Sequence, residues 1–105
     1  MRDLNKTYES FTENERKIIN VTLELIESKD MTIERFNILY NTFVDAVESF
    51  SSTTIKYGCN NTMLDSFNRK IKKTEELMDN VALDLCAKYK VEDTDVYFRR
   101  IEKAA

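Results

Sequence analysis

Proline, histidine and tryptophan do not occur in this chain of 105 residues, and glycine occurs once, at Gly58. Proline removes a backbone donor and glycine costs a helix conformational entropy, so a chain almost free of both has few ways to interrupt a helix. Without histidine, the usual general base, the commonest metal ligand and the Ser-His or Cys-His nucleophile pair are all missing. Di-iron bundle sites built on Glu-x-x-His go with them. One glycine leaves no phosphate-cradling loop of either glycine-rich type. The expectation is a protein that is not an enzyme and needs neither cofactor nor metal; only chemistry by a lone carboxylate or lysine stays open.

No segment approaches the roughly 20 apolar residues that cross a bilayer. The start, Met1-Arg2-Asp3-Leu4-Asn5-Lys6, has no apolar run to serve as a signal peptide. A soluble, cytoplasmic protein without membrane contact is expected. A basic balance is also lacking: 19 acidic residues face 16 basic ones, the pI is near 5.0, and a general polyanion binder is disfavoured. The richness in Asn, Lys and Ile suits an AT-rich genome, as in many low-GC bacteria, phages and large DNA viruses.

What is present is helical periodicity. Ile33, Phe36, Tyr40, Phe43, Val47, Phe50 and, across Thr54, Tyr57 recur in steps of three and four, which lines them along one face of a helix packed lengthwise on others. Ahead of it, Thr12-Glu13-Asn14-Glu15 has capping-box spacing, and Ile18, Ile19, Thr22, Leu25 and Ile26 follow on one face. A helix over 12–29 is therefore expected, with Leu4, Tyr8 and Phe11 on a separate short turn or helix, because one continuous helix would place Glu15 inside the apolar arc. The second helix is expected over 32–57, through Ser51-Ser52-Thr53-Thr54 despite their poor propensity, ending at a left-handed Gly58.

A third helix over 61–90, with Asp65 as capping partner, carries Leu64, Phe67, Ile71, Met78, Val81 and Leu85. It would be roughly 43 Å long, and the four-residue connection Gly58-Cys59-Asn60-Asn61 makes it antiparallel to the second. Glu92-Asp93-Thr94-Asp95 offers caps for a short last helix over 94–103, with Val96, Tyr97 and Ile101 on its apolar side. The fold expected is all-α: one domain over 1–105, an antiparallel up-down-up bundle of three main helices with a short C-terminal helix. Where a short first helix leaves the hairpin uncovered, residues 3–11, the last helix or a second copy of the chain must cover it, so a homodimer is one expectation.

Cys59 and Cys86 would lie ~37 Å apart along the third helix, far beyond the ~7 Å Cα separation a disulfide tolerates. Cys86 reads as a small core residue and Cys59 as an exposed turn residue. Glu92-Asp93-Thr94-Asp95 lacks the sixth-position Gly and twelfth-position Glu of a calcium loop. The basic cluster Arg69-Lys70-Ile71-Lys72-Lys73 puts Arg69, Lys72 and Lys73 on the outer face of the third helix, where Lys72 can pair with Glu76 and the face can also meet phosphates. Leu83 on that outer face and Ile38 on the outside of the second helix are apolar where water is expected. Arg69, Lys72, Lys73, Glu76, Leu83 and Ile38 are thus the candidate partner-binding residues.

Helix stripes without chemistry point to a small regulator, inhibitor or adaptor that binds another protein. Nucleic-acid binding through the basic face of the third helix is the alternative. A third reading is a secreted partner protein: the length, the hairpin and the Tyr89 to Asp93 spacing resemble in outline the secreted helical-hairpin family with a Trp-x-Gly turn. The turn here, Tyr57-Gly58-Cys59, departs from that motif, lacking the Trp and placing the Gly elsewhere.

Overall fold

Thr32, Gly58 and Asn60 start or stop the helices of the hairpin. In the computed structural model, which describes residues 4–27 and 29–97, four α-helices follow one another: α1 (Leu4–Ile26), α2 (Ile33–Tyr57), α3 (Asn61–Tyr89) and α4 (Asp93–Val96). No strand occurs among the described residues. At the start of α2 the Thr32 hydroxyl accepts the Arg35 amide at 3.1 Å. At its end Gly58 adopts φ 85°, ψ 171°, a region essentially reserved for glycine, and its amide closes the last turn on Thr54 O. The cap of α3 is Asn60, just ahead of the expected start at Asn61 or Thr62, and its side chain accepts the Met63 amide at 2.8 Å. That helix stops on Lys90 in the left-handed region. The Ser51 to Thr54 run stays helical, and the Thr53 and Thr54 hydroxyls bond back to the Ser49 and Phe50 carbonyls of their own helix, a pairing found where such residues sit in mid-helix.

Helix α1 is the main departure from expectation. It begins at Leu4 and passes through Thr12 unbroken; Thr12 Oγ1 donates to Tyr8 O within the helix and caps nothing. Glu15 does fall beside the apolar arc. There its carboxylate meets Lys70 Nζ of α3 at 3.5 Å, a half-buried ion pair between helices that makes a continuous helix tolerable. The buried positions of α1 are Ile18, Val21 and Leu25, with the polar Thr7 and Asn14. Ile19 and Ile26, expected beside Ile18 in the core, are on the outside instead, as is Tyr8.

Ser10 meets Thr53 across α1 and α2, and Phe11 touches Phe50, so these helices run antiparallel. Phe11 also touches Phe67, Glu15 meets Lys70 and Thr22 meets Thr74: α1 and α3 are parallel, and eleven residues along α1 match only seven along α3. The two therefore cross at an angle and diverge. Closest backbone approach is between α1 and its two neighbours, while α2 and α3 stand further apart. Small Ser10, Asn14 and Thr22 on α1 allow the first; rings such as Phe50 and Phe67, stacked at 4.2 Å between centroids, impose the second.

The fold is thus an up-down-up bundle in which α1 is wedged against an aromatic hairpin. Phe36, Phe43 and Phe50 of α2 and Phe67, Met78, Ala82 and Leu85 of α3 form its buried interior. Both ends of the hairpin are covered within one chain. Phe11 closes the turn end, and at the other Val96 is fully buried while Tyr97 packs edge-on against Phe36 and Tyr40. The rest of the expected last helix, 98–103 with Ile101, lies outside the described residues.

Polar atoms inside this interior are paired with one exception. The Thr22 and Thr74 hydroxyls meet at 2.7 Å, so one donates to the other and the acceptor's own proton goes to the carbonyl one turn back, Ile18 O or Lys70 O. Asn37 donates from Nδ2 to Ile33 O, but its buried Oδ1 has no partner. Both cysteines are free and partly buried, and Cys59 packs against the core instead of standing exposed. Burial pushes both thiols up, with Asp93 adding to the shift at Cys86, the direction opposite to an activated nucleophile.

Candidate interaction surface on α1 and α3

The six residues singled out from sequence do not form one patch. Arg69, Lys72, Lys73 and Glu76 share the exposed outer side of α3, and Arg69 Nε reaches Asp65 O one turn back. Leu83 is 63 % exposed on the same side, but eleven residues beyond Lys72, ~16 Å along the axis. Ile38, 53 % exposed, stands on α2, a different helix. Lys72 and Glu76 do not form the ion pair their spacing allows; among the described residues no carboxylate lies within 4 Å of Arg69, Lys72 or Lys73. A shallow depression along this face is lined, among the described residues, by Asp65, Asn68, Arg69 and Lys72 of α3.

The sequence reading missed another concavity. Around the Thr22–Thr74 contact a groove lies between α1 and α3, with a volume of about 220 Å³, lined by Ile18, Ile19, Thr22, Leu23, Ile26, Lys70, Lys73 and Thr74. Ile19, Leu23 and Ile26 are 39, 50 and 58 % exposed. Their spacing of four and three residues aligns them on one side of α1 for about two turns. The Glu15–Lys70 pair sits toward the N-terminal side of this strip, and Lys73 stands on the opposite wall. The groove is thus an aliphatic strip on α1 facing the lysine edge of α3. Lys73 belongs both to this wall and to the outer basic side, which makes the two regions continuous.

The missed signal was a second apolar face on α1. Ile18, Ile19, Thr22, Leu25 and Ile26 can be assigned to one arc, but an arc centred on Thr7, Asn14, Ile18, Val21 and Leu25 leaves Ile19, Leu23 and Ile26 as a separate strip. Only the inclusion of polar Thr7 and Asn14 in the core reveals it.

A further concavity of about 240 Å³ lies between α2 and α3 under Tyr97, lined by Tyr40, Phe43, Val44, Glu75, Met78 and Asp79. The Tyr97 hydroxyl donates to Asp79 Oδ1, which ties the segment after α4 across this opening. Burial, the bond to Asp79 and its charge push the phenol well above the ordinary tyrosine range. Among the described residues no group of three or more acidic or cysteine side chains is placed to hold a metal ion, and no helix is long and apolar enough to cross a membrane. No family model, curated protein or solved structure matches this chain.

Proposed function

We propose that this chain is a non-catalytic helical bundle that acts by binding another protein, as a regulator, inhibitor or adaptor, through the α1–α3 groove. One observation carries the reading: three aliphatic side chains stand in line on α1, each at least 39 % exposed, beside a groove walled by lysine. Isolated exposed aliphatics are ordinary, but an aligned strip along a groove marks a contact surface. About 220 Å³ is below the ~300 Å³ at which drug-sized ligands and cofactors begin to fit, and suits side chains protruding from a partner. The lack of histidine and the raised cysteine thiols speak for binding over chemistry.

The test compares wild type with Leu23→Glu, a substitution at a half-exposed position that leaves the interior intact. Tagged proteins are captured from the native host after circular dichroism confirms equal helicity. A protein recovered stoichiometrically with wild type and lost with Leu23→Glu supports the reading. Equal recovery by both overturns it, and so does recovery of nucleic acid alone.

A further inference from the structure

We propose that the partner presents an acidic amphipathic helix to this groove, a deepening that rests on the function proposed above. The chemistry of the two walls dictates the occupant. The α1 wall offers Ile19, Leu23 and Ile26, whose helical spacing matches the apolar ridge of another helix. The α3 wall offers Lys70 and Lys73 in the groove, and Arg69, one turn before Lys73, extends that edge, whereas Lys72 projects about 160° away from Lys70 around the helix. Among the described residues Lys70 has a carboxylate within 4 Å, Glu15, and Arg69 and Lys73 have none. Two cations thus remain uncompensated at close range on the groove edge in a chain whose net charge is −3. Glu76 and Glu27 flank the surface but neither neutralises them by contact. A helix that laid aliphatic side chains on the α1 strip would turn its adjoining polar flank toward these cations, and carboxylates there complete the charge complementarity.

A second copy of the chain fits less well. In a two-fold dimer through this surface the copy brings only the same patch, so carboxylates must come from outside the groove lining, which holds lysines and no acidic residue, to meet Arg69 and Lys73. Nucleic acid would use the cations but leave Ile19, Leu23 and Ile26 without a role, since phosphate contacts need no aliphatic strip.

Three synthetic peptides probe the groove of the full chain by isothermal titration and by mapping amide shifts. The first is an amphipathic helix with leucine on one face and glutamate on the other, the second replaces each glutamate by lysine, and the third is the first with its order scrambled. The acidic amphipathic peptide should bind alone, shift Ile19, Leu23, Ile26 and Lys73, and weaken as salt rises. Reversing both charges in Arg69→Glu/Lys73→Glu should weaken it about tenfold, about 1.4 kcal/mol for two exposed pairs. Leu23→Glu should abolish it.

Equal binding of the lysine peptide overturns the proposal, as do binding of the scrambled peptide, shifts outside the groove, and no binding of any peptide. A dimer in light scattering that Leu23→Glu dissolves, or duplex DNA displacing the acidic peptide from these residues, also overturns it. Host capture separates the two levels. If Leu23→Glu loses the partner while Arg69→Glu/Lys73→Glu keeps it in full, protein binding stands and its acidic character falls. If both variants keep the partner, the site itself is wrong.

Discussion

Replacing Phe67 by alanine removes the ring that joins all three long helices at the turn end of the bundle. Phe67 is 1 % exposed, stacks on Phe50 at 4.2 Å and leans on Phe11 at 5.9 Å, while Phe11 meets Phe50 at 5.6 Å. Truncating a buried phenylalanine costs about 3 to 5 kcal/mol through lost transfer energy and the cavity left behind. Against a total stability of roughly 5 to 15 kcal/mol for a domain of this size, that is a large fraction. It corresponds to a fall in melting temperature of order 15 to 30 °C at roughly 4 to 8 °C per kcal/mol. Urea denaturation followed by helical circular dichroism measures it. Because the ring contacts are themselves worth about 1 kcal/mol beyond area, a double-mutant cycle of Phe50→Ala and Phe67→Ala should show a coupling of that size. A loss under about 1 kcal/mol for Phe67→Ala, or strict additivity in the cycle, would refute the aromatic junction as what fastens α1 to the hairpin.

Gly58→Ala forces a Cβ into φ 85°, ψ 171° and should cost about 1 to 3 kcal/mol; a neutral result in the same denaturation would mean the turn adopts another backbone. Asn37→Leu should be neutral or stabilising by about 1 kcal/mol, because it removes a buried oxygen without a partner, and a clear loss in urea midpoint would show that this oxygen is satisfied. The Tyr97 phenol is raised first by burial, then by its bond to Asp79 and that carboxylate's charge. The folded chain therefore holds this proton more tightly than the unfolded one. The resulting stability is complete below the unfolded tyrosine value near ~10 and is lost as pH rises through the higher folded value. Urea midpoints should fall above that pH in wild type and fall less steeply in Tyr97→Phe; parallel pH profiles would show that Tyr97 is not the group responsible.

The hairpin was readable because its signals agree: a three-four stripe of large rings on α2, a matching stripe on α3, and one glycine at the only place where positive φ is needed between them. The α1 helix was not, because its interior includes Thr7 and Asn14, and Thr12-Glu13-Asn14-Glu15 has the spacing of a capping box in mid-helix. A carboxylate at position 15 looks impossible inside a helix until the amine that meets it, 55 residues later at Lys70, is brought alongside by the fold. For the same reason the groove was hidden. Lys70 to Lys73 announce a basic side of α3, but Ile19, Leu23 and Ile26 read as core until two polar residues are known to occupy the inward positions. Leu83 and Ile38, solitary on their helices, show that an exposed aliphatic alone is weaker guidance than a row of them.

The wedge position of α1 also sets the order of events during synthesis. Its contacts to α3 close loops of more than fifty residues, such as the 52 between Thr22 and Thr74, and long closures slow folding. On the ribosome α1 and α2 emerge first and can pair, but their rings stay wet until α3 arrives. A nascent chain halted at the Gly58 turn would display Phe11 and Phe50 to water, the kind of surface that chaperones and proteases engage.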